Sequence, residues 1–356
     1  MGIFARSPYI ITINESLQEG SKIDLFLWNG TGAAPATPQY TLSKLIPATN
    51  NLNTYYNISP YIREYITWNT RQTPYNTYSA LNTEQYCNVK VNRYKLSSGV
   101  YTFLNTVTGK AFDGFGYYEQ GYNPNLTYDI LHEQGTFYYA YDSNYNPSSN
   151  IDYRAGFVAL NSGTSWTYKY TNLNTGATNT GSITNNSLRE ILRVYPSYYA
   201  AGNKLEILNS SNTVLWTATF KPALNCRYTP VLCDFVNKYG AWQRTWFYAA
   251  SNNSISFENT EYNLMQSSFA NYNTLEGQRK VFNTNGKKNI KVNTDWVDES
   301  YNELLQQLML SERILINNYP AKLNTKSTEL FKNINQKLIN YQLEFEFSYD
   351  IINSVI

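Results

Sequence analysis

Short stretches of alternating apolar and polar residues, separated by turn residues, fill the first third of the chain. Residues 9–14 and 22–28 show this alternation clearly. Spacing of this kind is typical of the short strands of a β-sandwich. Ser59 and Pro60 then open a segment that predicts one or two helical turns, with Ser59 as the N-cap. We expect a first β-sandwich domain over residues 1–120.

The middle of the chain repeats the strand pattern with even fewer charges. A hairpin is predicted from Trp166 to Ile183, because the turn residues 172–176 separate two alternating stretches. In the stretch after residue 212, four apolar residues fall on one face of a strand: Val214, Trp216, Ala218 and Phe220. We expect a second, smaller β domain over residues 121–225.

Two hairpins are predicted at the start of the last third. The first runs over residues 229–248 and turns at residues 237–240, which place Asn and Gly between two apolar stretches. The second is predicted at Asn285 and Gly286, because an Asn-Gly pair between two strand patterns is a strong signal for a tight turn.

The last third also holds the main helix, predicted to start at Asp295 with this residue as its cap. Five apolar residues then recur at helical spacing: Val297, Tyr301, Leu304, Leu305 and Leu308. Near the C-terminal end, Tyr341, Leu343, Phe345, Phe347 and Tyr349 alternate with polar residues, which predicts a strand with one buried face. Residues 226–356 are therefore expected to form an α+β domain. The predicted fold is mainly β: two β-sandwich-like domains followed by a C-terminal α+β domain with one main helix.

Composition adds an expectation about partners. The 356 residues include 34 Tyr and 7 Trp, while charged residues make up 15%, against about 25% in typical soluble domains. Tyr and Trp favour protein interfaces, and their flat rings also stack on sugars, so both kinds of partner remain open. The residues singled out as a possible interface are Trp242, Trp246, Tyr248, Trp296, Tyr301, Glu344 and Glu346.

Charge and cysteine content exclude several classes of function. A formal net charge of +2 without a large basic cluster gives no basis for binding nucleic acid or an anionic membrane. No apolar stretch approaches the roughly 18 residues of a membrane-spanning helix. The 3 cysteines form no CxxC motif, so neither a disulfide framework nor a zinc site is indicated.

Residues with catalytic chemistry are few. His132, the single histidine of the chain, is expected to be an ordinary surface residue in a loop. Glu344 and Glu346 point the same way on a strand, at a spacing compatible with a glycosidase pair. We favour a solvated or interface-facing side for them, with ion pairs to Lys326, Lys332 or Lys337. No catalytic residue, cofactor site or metal site is predicted, and the chain is not expected to be an enzyme.

Several segments carry a resemblance to a family: Arg6-Ser7-Pro8-Tyr9, Ser59 to Tyr65, Tyr228-Thr229-Pro230, Phe235 to Ala241, Phe282 to Gly286, Val292 to Val297, Leu308 to Glu312, and Leu338 to Asp350. They resemble a family of uncharacterised tail or structural proteins of tailed phages that infect Bacteroidetes and marine bacteria. The resemblance implies a virion protein assembled in the host cytoplasm, in the tail or baseplate. It supplies no catalytic residues.

Two roles follow as expectations. In the first, the chain is an assembly protein that forms homo-oligomers and contacts other virion proteins in the tail or baseplate, or in the neck or capsid decoration. In the second, it binds a receptor or a host cell-surface glycan at the tip of the particle. For the first role, we expect residues 283–356 to serve as the docking module, while the two β domains reach outward.

Overall fold

The computed structural model of the chain describes residues 2–47, 53–68, 78–80, 83–121, 123–124, 130–140, 158–160, 166–183, 192–194, 201–223, 228–264, 275, 277–297, 299–328 and 339–353. Within these residues the fold is mainly β, with several sheets and one main helix. The predicted fold class is therefore confirmed. The domain limits at residues 120 and 225 stay predictions.

The first region contains a five-stranded sheet in the order β1-β8-β7-β3-β4, in which β1 and β8 run parallel. Side chains of a strand pair, β2 and β5, and of helix α1 share a core with this sheet, as Ile13, Leu25 and Ile62 illustrate. The elements are β1 (Gly2–Phe4), β2 (Ile10–Asn14), β3 (Gly20–Trp28), β4 (Tyr40–Leu45), β5 (Asn53–Asn57), α1 (Ser59–Tyr65), β6 (Tyr78–Ala80), a 3-10 turn (Thr83–Gln85), β7 (Tyr86–Ser97), β8 (Val100–Phe112) and a 3-10 turn (Tyr118–Gln120).

The start of α1 differs from the prediction. Ile58 occupies the N-cap position, and Ser59 is already the first helical residue. The hydroxyl of Ser59 donates a hydrogen bond to the backbone carbonyl of Ser7 at 2.6 Å. Ser59 therefore ties the helix to the N-terminal segment and does not cap it.

The middle region holds a five-stranded sheet in the order β12-β11-β14-β15-β9. Its elements are β9 (Gly135–Ala140), β10 (Val158–Leu160), β11 (Trp166–Asn172), β12 (Thr178–Ile183), β13 (Leu192–Val194), β14 (Asn203–Leu208) and β15 (Val214–Ala223). The predicted hairpin is confirmed as β11 and β12. Of the predicted face on β15, Trp216, Ala218 and Phe220 are buried, whereas Val214 is exposed at the start of the strand. A separate three-stranded sheet joins β10, β13 and β6.

The third region is a seven-stranded sheet in the order β17-β16-β20-β21-β22-β19-β18. Its elements are β16 (Val231–Val236), β17 (Trp242–Phe247), β18 (Asn252–Asn263), β19 (Arg279–Val297), α2 (Tyr301–Met309), β20 (Ile314–Ile316), β21 (Tyr319–Leu323) and β22 (Ile339–Asp350). The predicted hairpin turning at residues 237–240 is confirmed as β16 and β17. On β22, Tyr341, Leu343, Phe345 and Phe347 are buried in alternation, as predicted.

The hairpin predicted at Asn285 and Gly286 is wrong, because both residues lie inside the continuous strand β19. Asn285 holds the C-terminal segment: its amide donates to the carbonyl of Ile352 at 3.0 Å and accepts the Ile352 N–H at 3.0 Å. A Cβ on Gly286 would come within 3.3 Å of both Phe257 and Ile351. Gly286 also allows close approach of the Ser256 backbone oxygen, which would lie 2.9 Å from such a Cβ. Asn285 therefore anchors Ile352 and Gly286 permits close packing, and neither residue reverses the chain.

The predicted start of the main helix is also wrong. Asp295 lies in β19 with a left-handed φ of 62°, where the pairing of β19 with β22 shifts register. The helix begins at Tyr301, six residues later. Four of the five residues of the predicted apolar stripe, Tyr301, Leu304, Leu305 and Leu308, lie on this helix and are buried, whereas Val297 is the last residue of β19 and is buried there.

One hydrophobic core spans the middle sheet and the seven-stranded sheet. Phe220 and Leu205 of the middle sheet belong to the same cluster as Leu343 of β22 and Leu305 of α2. Tyr138 of β9 contacts Tyr301 of α2, with ring centroids 6.2 Å apart. Helix α2 thus joins the middle sheet to the seven-stranded sheet. The β18 end of the seven-stranded sheet lies outside this core.

Candidate interaction surface

The two edges of the seven-stranded sheet differ in exposure. All six residues of β17, at one edge, are buried. All twelve residues of β18, at the other edge, are exposed. In the part of the chain that the structure describes, no strand pairs with the outer side of β18. Such an edge carries backbone N–H and C=O groups ready to pair with a further strand.

We call β18 together with residues 279–291 of β19 the ribbon, since these segments pair along their length. Its residues alternate between two faces. Ile290 and Val292 of β19 point into the core, and Ile255 and Phe257 of β18 lie on the same face farther along the ribbon. Ile255 is 50% exposed and Phe257 is 71% exposed. The apolar inner face of the sheet therefore continues beyond the layer that covers it.

More apolar side chains surround this uncovered face. Ile351 lies over Gly286 beside Phe257, and Ile351 and Ile352 are both exposed. On the opposite face, near the far end of the ribbon, the rings of Tyr262 and Phe282 pack together with their centroids 5.6 Å apart. The ribbon therefore exposes apolar side chains on both faces, and grouped exposed apolar residues often mark a site where a partner binds.

Charge is divided between the two strands of the ribbon. The outer strand, β18, carries only acidic charges, Glu258 and Glu261. The inner segment of the ribbon, residues 279–291 of β19, carries only basic charges: Arg279, Lys280, Lys287, Lys288 and Lys291. Glu261 and Arg279 form an exposed ion pair at 3.8 Å, which is worth little by itself. The first half of β18, residues 252–257, is uncharged.

Four of the predicted interface residues prove to be part of the core. Trp242, Trp246, Tyr248 and Tyr301 are all buried, so their side chains do not form an outer surface of the folded chain. Trp296, in contrast, is 60% exposed. The sequence pattern could not separate the buried Trp246 from the exposed Trp296, because both residues lie in strands.

Glu344 and Glu346 lie on the outer face of β22, as predicted, but pair with other lysines than expected. Glu344 pairs with Lys291 at 3.5 Å, and Glu346 pairs with Lys322 at 2.8 Å and Lys287 at 3.7 Å. The hydrogen bond from Lys322 lowers the pKa of Glu346. A glycosidase acid needs a raised pKa, so Glu346 does not suit that role.

The lysine partners suggested by the sequence are therefore corrected. The neighbouring strands β19 and β21 supply the cations, and Lys326, which lies beyond β21, is not one of these partners. The other two suggested residues, Lys332 and Lys337, lie outside the described residues.

A polar cluster that the sequence did not reveal lies at the turn between β16 and β17. Lys238 forms ion pairs with Glu133 and, at 2.9 Å, with Glu303 of α2. Tyr239 donates a hydrogen bond to Glu133 at 2.8 Å, and Tyr117 donates one to Glu303 at 3.0 Å. Burial opposes the charge on Lys238, but the two carboxylates outweigh it and raise the pKa of the lysine. The cluster joins four separate parts of the chain and so stabilises their packing.

His132 is not the surface residue that the sequence suggested. Its side chain is buried, and the centroid of its ring lies 4.8 Å from that of Phe137 and 5.7 Å from that of Trp216. Nδ1 lies 2.8 Å from the carbonyl of Glu133. Burial lowers the pKa of His132 to about 4 from the ordinary value of 6.5. The imidazole is therefore neutral at pH 7, and it is held in the core.

Acidification should destabilise the protein through His132. The unfolded chain binds a proton below pH 6.5 whereas the folded chain binds it only near pH 4, so stability falls as the pH drops between these values. Between pH 7 and pH 5 the loss should be about 2 kcal/mol. Urea unfolding of the wild type and of His132→Phe at both pH values would measure it, and the variant should lack most of this loss. An equal loss in both would contradict the assignment.

The titration of Glu303 does not interfere with the measurement of the His132 effect on stability. Its interactions with Lys238 and Gln307 overcome the effect of burial and lower its pKa below the usual 4.5. Its contribution is complete above pH 4.5 and is lost only as the pH falls through the lowered value. The interval from pH 7 to pH 5 therefore isolates His132 from this carboxylate.

Other kinds of site find no support in the described part of the chain. It contains no group of three or more His, Cys, Asp or Glu residues arranged to hold a metal ion. Cys87 and Cys233 are buried free thiols, and burial raises the pKa of Cys87 to about 12. None of the described helices is long and apolar enough to span a membrane.

Comparison with known proteins adds no assignment. No protein-family model and no curated protein sequence matches this chain.

Proposed function

We propose that this chain is a non-enzymatic structural protein of a bacteriophage particle, a tail or baseplate component that assembles with copies of itself and with neighbouring virion proteins. The observation that carries the proposal is the ribbon, a long sheet edge with exposed apolar residues on both faces. Folded monomers usually protect such edges with charges, proline or a covering segment. A protein that remains bound to partners has no need of that protection.

Two features of the sequence support the proposal. The low charged fraction and the surplus of Tyr suit surfaces that are covered by protein in an assembled particle. In addition, Phe282 to Gly286, one of the segments that resemble the phage family, lies within the ribbon. Neck and capsid-decoration positions are compatible with the same features. Assembly would take place in the host cytoplasm.

A role in binding a cell-surface glycan is the second candidate, and one observation favours it. Tyr319, Phe347 and Tyr349 form an aromatic cluster with ring centroids 5.5–6.5 Å apart. Tyr319 is 58% exposed, so its ring is open to stacking on a sugar. Antibody against the chain should block adsorption of particles to cells under this role but not under a purely structural one.

Purified particles provide the test of the structural role. Mass spectrometry should find the chain in particles in a repeated copy number, and antibody labelling should place it on the tail or baseplate. A repeated copy number is expected because virion components follow the symmetry of the particle. If the chain is present in the infected lysate but absent from purified particles, the structural role is wrong.

A further inference from the structure

We infer that β18 pairs antiparallel with β18 of a second copy of this chain, about a twofold axis at Ser256, so that the two seven-stranded sheets become one continuous sheet. This inference rests on the proposed assembly function and specifies the partner of the ribbon. It concerns a surface between copies, and it leaves other surfaces for the neighbouring virion proteins.

The backbone of β18 is suited to such pairing. The irregularity in the ribbon between Glu258 and Thr260 comes from an additional residue in β19, because two steps along β18 match three along β19. Asn283, in this bulge, has a left-handed φ of 52°. The outer strand therefore keeps a regular alternation over its twelve residues, a length of about 40 Å.

The positions of the acidic residues restrict the register. Pairings that place Glu258 opposite Glu258 or Glu261 of the second copy would oppose like charges, which destabilises a sheet. With Ser256 on the axis, Glu258 lies opposite Ser254 of the second copy. Within the second copy, Lys287 and Lys291 of β19 pair with residues 256 and 252 of β18. These two lysines therefore lie on the same face of the joined sheet as Glu258 of the first copy, on the strand next to the contact. This arrangement places opposite charges near each other across the contact.

The apolar residues are complementary in the same register. Ile255 of each copy lies directly opposite Phe257 of the other, on the face where both are exposed. Apolar pairs of a β-branched and an aromatic residue stabilise neighbouring strands. Ile351 lies near Phe257 within each copy, because both side chains approach Gly286. One register therefore satisfies both the charges and the apolar residues.

Cysteine cross-linking of the full-length chain tests the inference. Residues that lie directly opposite in antiparallel strands have Cα atoms about 4.5–5.5 Å apart, within the range that a disulfide can bridge. The variant Ser256→Cys should therefore form a disulfide-linked dimer under mild oxidation. Asn253→Cys is the matched control on the same exposed strand, and its two copies would be about 20 Å apart, six residues along the strand.

The expected result is a dimer band with Ser256→Cys that is several-fold stronger than with Asn253→Cys or with the wild type. Equal cross-linking of the two variants, absence of cross-linking, or a monomeric wild type in sedimentation at high concentration would overturn the inference. An oligomer in sedimentation without the Ser256→Cys cross-link would mean that copies associate through another surface. The proposed virion role would then still stand, since only absence from purified particles contradicts it.

Discussion

The double variant Ile255→Lys with Phe257→Lys should remove self-association through the ribbon. Both side chains are at least half exposed, so the folded monomer should keep its stability. In the paired sheet, however, each new lysine would lie opposite a lysine of the second copy, and the apolar pairs would be lost. Each loss of about 1.4 kcal/mol in binding free energy raises the dissociation constant of the dimer about tenfold. Sedimentation analysis and incorporation into particles are the measurements.

A matched control separates the position from the charge. Leu17→Lys with Tyr118→Lys adds the same two charges at exposed apolar residues that are not part of the ribbon. The control should associate like the wild type, whereas the ribbon variant should remain a monomer. If both variants associate normally, the ribbon is not the surface that joins copies.

Asp234→Ala should be the most damaging substitution for folding. Asp234 and Arg244 lie directly opposite on β16 and β17, and they form a buried ion pair with contacts of 2.7 and 2.9 Å. Both side chains are almost completely buried. Removing one partner leaves the guanidinium buried without its carboxylate, and losses of about 3–5 kcal/mol are typical of that situation. Urea unfolding at neutral pH would measure the free energy of unfolding.

The double substitution Asp234→Leu with Arg244→Met distinguishes the pair from the packing around it. Replacing both charges with apolar side chains of similar size removes the unpaired charge, so the loss should be much smaller than for Asp234→Ala. A loss below about 1 kcal/mol for Asp234→Ala would contradict the importance of the pair.

The structure also changes how the C-terminal segment can be tested. The sequence alone suggested residues 283–356 as the docking module, which implies that their deletion should abolish incorporation into particles. That cut falls inside β19 and removes α2, β20, β21 and β22, with many residues of the shared core. The truncated chain should therefore fail to fold. Loss of incorporation would then report on stability, and the point substitutions in the ribbon are the sharper test of docking.

Much of the fold followed from local patterns. Alternation and turn residues predicted the hairpin of β16 and β17 and the buried face of β22, because strand periodicity is a property of neighbouring residues. The stripe of Tyr301, Leu304, Leu305 and Leu308 was predicted correctly because helical periodicity is also a property of neighbouring residues. The errors lay where a local signal had a long-range use. Gly286 accommodates Phe257 and Ile351 and does not turn the chain.

By itself the sequence determined that this chain is built mainly from strands with one main helix, since apolar periodicity and turn chemistry act over a few residues. Only the tertiary structure decided which aromatic residues are buried, that His132 lies in the core, and that Lys238 binds both Glu133 and Glu303. It also decided that, among the described strands, none pairs with the outer side of β18. The physical reason is that burial, ion pairing and edge position depend on which distant segments lie side by side.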